Sequence, residues 1–361
     1  MSTTRTVLLI PPLITNDHLL EKITCIRAHK ERIFHTALEK LDNKYIFHNY
    51  GHGGAGWTFL FGCVHQSLRV FRDKLACTKE LHNKPIAVIG AGCYGLLTAI
   101  ELARAGHQVR IISEHTDDYT IPSYKAAGFF FPRARKSSTP QEKALFLAYG
   151  FESYKTYLDI IQKKHAFIGH GPRIVPAYYG LDIDPGFTEY IQEGLILEPK
   201  QVIIDFGNNK KYNAREYQVV FINPSDIMHE LHKELQKLPI TWTYTHINNF
   251  NEIEEPIIFN CAGMGAKKLT GDPRIVPVQG HLITLHNQPD TRQLNYMINF
   301  KVTVTLPATP QHPLGRLRDE LIYFAPKESG ILGITFIRGQ DSLTANSHEF
   351  DRLLERCRDF F

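Results

Sequence analysis

The chain has 361 residues, enough to bury a large core in one or two domains. With 43% hydrophobic and 22% charged residues it has the balance of an ordinary globular protein, which excludes a disordered or low-complexity chain. A formal net charge of +4 is too small at this length to point to nucleic acid or a membrane surface, and no run of about 18 apolar residues is present to span a bilayer.

Six scattered cysteines without C-x-x-C spacing suit a reduced, cytoplasmic chain better than a disulfide framework. Val7 to Leu13 is short and holds Pro11 and Pro12, so no secretory leader is expected, and Arg358-Asp359-Phe360-Phe361 is not a targeting tripeptide.

In chain order, a strand is expected near Cys25 to Ile33, followed by the apolar run Tyr45 to His48, which enters a glycine turn, Gly51-His52-Gly53-Gly54-Ala55-Gly56. Trp57, Leu60, Phe61, Val64, Leu68 and Phe71 then recur at spacings near three and four, predicting an amphipathic helix to about residue 75. Residues 76–84 are polar and read as a linker. Ile86 to Ile89 has the character of a buried strand, Tyr94 to Ala105 a helix with Gly106 as its stop, and Val109 to Ser113 a second strand. That strand-helix-strand unit implies a parallel pair with a right-handed crossover.

Further on, Glu142 to Lys164 reads as helix and 173–204 as mixed strand and loop. Asn223-Pro224 caps a helix that carries Ile227, Met228, Leu231 and Leu235. Strands are expected at Ile240 to Tyr244, at Ile257 to Asn260 and through much of Val276 to Ile337. His348 to Phe360 is a terminal helix with Phe350, Leu353, Leu354 and Cys357 on one face.

The chemistry begins with Gly90-x-Gly92-x-x-Gly95, which follows a strand and opens a helix. In such a loop the first glycine permits the tight turn, the second lets backbone approach a pyrophosphate, and the third allows the helix to pack closely on the strand. The helix N-terminus offers free N–H groups to the phosphates. Glu114, 19 residues after Gly95 at the end of the second strand, is placed to accept from a ribose diol. This motif predicts a dinucleotide but does not separate FAD from NAD. The histidines of the earlier turn have no acid or cysteine partners at ligand spacing, so no metal is expected.

His48-Asn49-Tyr50-Gly51-His52-Gly53-Gly54-Ala55-Gly56-Trp57-Thr58 closely resembles the signature of the D-amino-acid oxidase family of FAD-dependent oxidases. Ser123-Tyr124-Lys125-Ala126-Ala127-Gly128 is similar to the family's turn beside the flavin. Ile257 to Gly263 resembles the strand that meets the nucleotide, and Pro277 to His281 the element that follows it. Leu321 to Pro326 with Gly333 to Phe336 resembles the hairpin that roofs the substrate.

The resemblance implies an α/β fold: a FAD-binding Rossmann-type βαβ domain plus an antiparallel-sheet substrate domain. It implies FAD contacts at Gly90, Gly92, Gly95, Glu114, Ala126, Ala127, Gly128, Ile247, Ala262, Gly263, Gly53, Gly54, Gly56, Trp57 and Thr58. It also implies three catalytic positions: Arg27 for the substrate carboxylate, Tyr323 for a second bond to that carboxylate, and the Gly54 carbonyl for the substrate amine. Arg27-Ala28-His29-Lys30-Glu31 departs from the family's Arg-Pro-x-Arg-Pro, Ala55 is smaller than usual, and Phe131 replaces a polar residue.

In the family the turn follows the βαβ unit near the C-terminus, whereas here it precedes it, which reads as a circular permutation. The expected division is then 14–75 completing the FAD domain, 76–84 as linker, 85–172 as the first part of the FAD domain and 173–222 as the first part of the substrate domain. Residues 223–270 return to the FAD domain, 271–345 form the substrate domain with a lid over Asn295 to Glu320 ending in a basic loop with Arg316 and Arg318, and 346–361 are a helix of the FAD domain.

The implied activity is oxidation of a D-amino acid to the imino acid, which hydrolyses to keto acid and ammonia, with oxygen reoxidising the flavin and yielding hydrogen peroxide. A glycine- or sarcosine-type amine oxidase and a non-catalytic flavin protein are the alternatives. An NAD-linked dehydrogenase leaves residues 47–58 unexplained.

Overall fold

The computed structural model describes residues 4–114, 121–306, 316–344 and 346–361. The first part of the chain forms β1 (Arg5–Leu8), β2 (Leu19–Lys30), β3 (His35–Leu41), β4 (Lys44–Tyr50) and helix α1 (Gly56–Cys77). Then follow β5 (Ile86–Ile89), α2 (Cys93–Arg104), β6 (Val109–Ser113), α3 (Pro122–Lys125), α4 (Pro140–Ile161), β7 (Pro172–Gly180), α5 (Thr188–Gln192), β8 (Lys200–Asp205) and β9 (Lys211–Ile222). The last part holds α6 (Pro224–Leu235), β10 (Ile240–Tyr244), β11 (Ile257–Asn260), α7 (Gly265–Thr270), β12 (Ile275–Leu285), β13 (Met297–Leu306), β14 (Arg316–Ala325), β15 (Ile331–Gly333), β16 (Ile337–Arg338) and α8 (Ser347–Phe360).

Among the described residues these strands form two sheets. The smaller has the order β10-β6-β5-β11-β4-β3. β10, β6, β5, β11 and β4 run parallel, and β3 closes one edge as an antiparallel hairpin with β4. Every residue of β4, β5 and β11 is buried, the mark of parallel strands covered on both faces. The sequence supplies that cover: α1 turns Phe59, Leu60, Phe61, Cys63 and Val64 inward, and α2 turns Leu96, Leu97 and Ile100 inward. α4 packs on α1, its start fixed by a capping box between Thr139 and Glu142. α6 begins as expected, with the Asn223 side chain accepting from the Ser225 N–H.

The larger sheet has the order β1-β8-β9-β7-β13-β14-β15-β12-β16, with β2 laid antiparallel on β12 from Leu285↔Leu19 to Ile275↔Lys30. Three expectations are corrected here. β2 was read with residues 14–75 as completing the FAD domain; it belongs to the large sheet, and only β3, β4 and α1 of that segment join the small one. The terminal helix, read as part of the FAD domain, packs instead across β12, β14 and β15, because its face of Phe350, Leu353, Leu354, Cys357 and Phe360 meets Ile283, Ile322, Phe324 and Leu332 on the outer side of the large sheet.

The lid read over Asn295 to Glu320 is mostly a strand pair, β13 with β14, in continuous register from Ile298↔Phe324 to Leu306↔Arg316. Residues 307–315 and the side chains of Arg316 and Arg318, where the basic loop was expected, lie outside the described residues. No helix among the described residues is long and apolar enough to cross a membrane.

Candidate active site at the sheet edge

The C-terminal ends of the five parallel strands converge on one edge of the small sheet, where ligands of open α/β sheets bind. β5 ends in Gly90, β11 in Cys261-Ala262-Gly263, β4 in the glycine turn, β6 in Glu114, and β10 runs on to Ile247. Gly90 has φ +102°, and a Cβ there would stand 2.5 Å from the Cys261 carbonyl oxygen. The loop is thus pressed against the end of β11, and only glycine fits. Above it the N-terminus of α2 presents the Cys93 N–H, which donates to Ser123 Oγ at 3.1 Å. Glycine backbone, a helix N-terminus and an oxygen acceptor already drawn to it fit the expected dinucleotide phosphates.

Glu114 is more than half exposed beside His246, whose Nδ1 lies 3.1 Å from its carboxylate. Ile247 packs half-buried against the cluster of Ile46, Ala87, Ile112 and Ile258, below the same edge.

The glycine turn follows β4 and is tied down on both sides. Lys30 N–H donates to the Gly51 carbonyl at 2.9 Å. The buried Lys30 ammonium pairs with Asp272, which also accepts from Arg274. Burial works against the Asp272 carboxylate, but the hydrogen bonds from Arg274 and Lys30 outweigh it and hold the carboxyl well below the usual carboxylate range. Breaking a buried pair by removing one partner costs on the order of 3 kcal/mol. Asp272→Asn is therefore expected to lower the melting temperature by roughly 4 °C at pH 7. Because the folded pKa is depressed, the contribution is complete above the unfolded value of about 4 and is lost as pH falls through the folded one. Melting curves from pH 7 down to pH 3 should show wild type and variant converging; a constant gap, or none at pH 7, contradicts the assignment.

The start of α1 is bound to the segment beyond α3. Trp57 Nε1 donates to the Ser123 carbonyl at 3.0 Å, Thr58 Oγ1 donates to the Phe129 carbonyl at 3.4 Å, and the Phe131 N–H donates to Thr58 Oγ1 at 3.1 Å. Tyr94 OH donates to the Gly56 carbonyl at 2.7 Å, and its ring stacks on His52 with centroids 3.9 Å apart. These contacts tie Trp57 and Thr58 to the segment from Ser123 to Phe131, which carries Ala126, Ala127 and Gly128. A residue the sequence reading passed over, Lys327, holds the other side: its buried ammonium donates to the carbonyls of Tyr124 and Ala126. Nothing in its local sequence signals this, because the partners lie two hundred residues away.

Arg27 lies on β2 opposite Val278 and is 9% exposed. Its side chain crosses β12 at Gly280, where a Cβ would stand 2.4 Å from Nη2. A glycine inside a strand signals such a close approach. Nη2 donates to the Thr335 carbonyl at 2.5 Å and the Gln279 carbonyl at 3.3 Å, and Nε to the Val278 carbonyl at 3.5 Å. Thr335 is held in turn: the His281 N–H donates to its Oγ1 at 3.1 Å. Nη1 is buried and has no hydrogen-bond partner among the described residues. It stands 3.7 Å from the place a Gly54 Cβ would occupy.

Burial lowers the Arg27 pKa, yet a guanidinium stays protonated at neutral pH. Tyr323, on β14, packs its ring at a tilt against Phe129 with centroids 4.0 Å apart, and burial pushes its hydroxyl pKa well up, so it remains an O–H donor. The Arg27 charge is near enough to act on that ionisation. Arg27 and Gly54, 27 residues apart in sequence, thus come together, with Tyr323 near enough for the Arg27 charge to act on it. An unmet guanidinium N–H in a buried setting is a strong site for a carboxylate.

The family profile described as DAO, FAD dependent oxidoreductase, matches residues 85–361. A D-amino-acid oxidase of Streptomyces coelicolor is 26% identical over 213 residues, which cover 56% of this chain and 59% of that protein. A D-amino acid oxidase of Dugesia ryukyuensis is 24% identical over 216 residues, covering 56% and 61%. The match thus spans about three fifths of the length of these curated relatives. Among solved structures, the chain is similar to L-proline dehydrogenase from P. horikoshii, with a TM-score of 0.48 and 14% identity over 77% of each chain.

Proposed function

The chain belongs to the DAO family of FAD-dependent oxidoreductases, with FAD as its cofactor, and from that premise we propose that it oxidises a D-amino acid at Cα to the imino acid. The imino acid hydrolyses to keto acid and ammonia, and oxygen takes the two electrons and two protons to give hydrogen peroxide. The observation that carries this reading is the Arg27 Nη1 beside Gly54, buried and without a hydrogen-bond partner among the described residues. FAD supplies, when bound, the two-electron acceptor for the substrate Cα–H.

Everything else in the proposal is orientation by this chain's own groups. Gly90, Gly92 and Gly95 would cradle the pyrophosphate, with Glu114 at the ribose and Ile247, Ala262 and Gly263 lining the nucleotide end. Ala126, Ala127, Gly128 and the turn from Gly53 to Thr58 would enclose the flavin ring. Arg27 Nη1 would take one carboxylate oxygen of the substrate, and the Tyr323 O–H would donate to the carboxylate as well. The Gly54 carbonyl would accept an N–H of the neutral amine, so no side chain need act as a base. Burial of Arg27 and Tyr323 keeps water from competing for these bonds.

The FAD-loaded protein, given a panel of D- and L-amino acids in air, should release keto acid, ammonia and peroxide in equal amounts from D-forms alone. Turnover confined to glycine or sarcosine would replace this substrate assignment with a secondary-amine one. No turnover of any member would overturn it.

A further inference from the structure

Lys327 is a buried cation that the proposed reaction leaves unused. It lies just beyond β14 and is only 6% exposed, yet it forms no ion pair among the described residues. Its ammonium donates to the carbonyls of Tyr124 and Ala126, the latter at 3.3 Å. The carboxylates that act on it from a distance are engaged elsewhere or wet: Glu328 accepts from Ser225 Oγ at 3.1 Å, Asp226 accepts from Asn223 Nδ2 at 2.8 Å, and Glu21 is exposed. Burial lowers the Lys327 pKa, while two carbonyl acceptors favour its ammonium form. A buried charge without a counter-ion is costly to the fold. It also acts on its surroundings over several ångströms, because little water screens it.

We propose that Lys327 is the fixed positive charge that favours two-electron reduction of the bound flavin; this rests on the reading of Ala126, Ala127 and Gly128 as enclosing the flavin ring. The ammonium is fastened to the carbonyl of the first of those residues, so its charge is held against that turn. A hydride leaving the substrate Cα carries two electrons and one proton, and the ring that accepts it gains one negative charge. Lys327 is in place before that charge develops and need not reorganise to meet it. The carbonyls of Tyr124 and Ala126 orient the ammonium without cancelling its unit charge. Arg27 cannot serve in its stead, because the substrate carboxylate neutralises Arg27, whereas Lys327 keeps no anion of its own among the described residues.

The test is the two-electron potential of the bound flavin, read by anaerobic reductive titration of the FAD-loaded protein against a reference dye. Lys327→Gln keeps an N–H donor for the turn without the charge, and Lys327→Arg keeps both. In Lys327→Gln the equilibrium should move about tenfold away from the reduced flavin, a potential about 30 mV more negative, and in Lys327→Arg it should stay within about twofold of wild type. Lys327→Met, also uncharged, gives the same reading if the glutamine variant does not hold FAD. An unchanged potential in the uncharged variants overturns the proposal. So does an equal fall in Lys327→Arg, which would leave the side chain as a clamp on the turn alone. Ala126→Val separates such a failure from a failure of the turn assignment. If it alters FAD affinity or the flavin absorbance while the uncharged variants keep the wild-type potential, the Lys327 role falls and the turn stays. If neither changes anything, the turn does not enclose the flavin and both readings fall.

Discussion

Arg27→Met is expected to lower kcat/KM for a D-amino acid by about 10²-fold or more, with FAD still bound in equal stoichiometry. A charge-assisted bond from a buried guanidinium to a carboxylate is worth about 3 kcal/mol, and losing it in the transition state costs that amount in rate. Methionine suits the test because it is long and apolar and fills much of the slot over Gly280. Some stability is lost too, about 1–3 kcal/mol, since the buried carbonyls of Thr335 and Gln279 lose their donor.

Arg27→Lys separates charge from geometry. A lysine reaching the Thr335 carbonyl has no second arm for the substrate, so it should recover the stability and little of the rate. If Arg27 only anchored Thr335, both variants would turn over substrate within a few fold of wild type once folded, and steady-state kinetics at matched FAD content would reveal it.

The glycines of the phosphate loop should divide into two kinds. A Cβ on Gly95 would stand 1.9 Å from the Gly90 carbonyl oxygen, and a backbone carbonyl cannot move aside without opening the loop. Gly95→Ala is expected to destabilise the protein by about 3 kcal/mol or more through overpacking and a displaced helix, and to abolish FAD binding with it. A Cβ on Gly92 meets the Ser123 hydroxyl oxygen at 3.1 Å, the end of a side chain that can rotate away, and Ile121 Cγ2 at an ordinary contact distance of 3.9 Å. Gly92→Ala should leave the FAD-free protein within about 1 kcal/mol of wild type and still weaken FAD binding about 10²-fold, because the methyl group intrudes where phosphate oxygens approach the backbone. Melting of the FAD-free proteins and titration with FAD give the two numbers independently. Wild-type FAD affinity in Gly92→Ala would remove the phosphates from this loop.

What could be read from residue order, and what could not, follows from the range of the interactions. The βαβ unit from Ile86 to Ser113 was plain because its signals are local: a buried apolar run, a glycine loop, a helical period and a stop at Gly106. The α6 cap at Asn223 and the capping box of α4 are local in the same way. α8 showed its apolar face but not which sheet that face would meet; periodicity says that a helix docks, never on what. β1 escaped notice because its four residues are mostly exposed and exist as a strand only by pairing with β8, some two hundred residues on. Strands were legible through much of Val276 to Ile337, but not that β13 pairs with β14 across the stretch expected to form a lid, because pairing depends on the rest of the sheet.

At the site, Arg27 and Tyr323 could be picked out only by likeness to a family, since a lone arginine and a lone tyrosine carry no signal of their own. The groups that aim Arg27, namely the Thr335 carbonyl, the space over Gly280 and the ring of Phe336, come from strands that become neighbours only when β2 lies on β12. The glycine turn itself was legible, yet its anchoring by Lys30 and Asp272 on one side and Arg135 on the other was not. Arg135 Nη2 donates to the Gly51 carbonyl at 3.1 Å from a segment 84 residues away.

The most direct test of the account is anaerobic mixing of the FAD-loaded protein with one enantiomeric pair, D- and L-leucine, while the oxidised flavin absorbance is followed. The account predicts complete bleaching by the D-form, none by the L-form, and bleaching by the D-form slowed about 10²-fold or more in Arg27→Met. Equal bleaching by both enantiomers, bleaching by the L-form alone, or a colour that no amino acid discharges would contradict it.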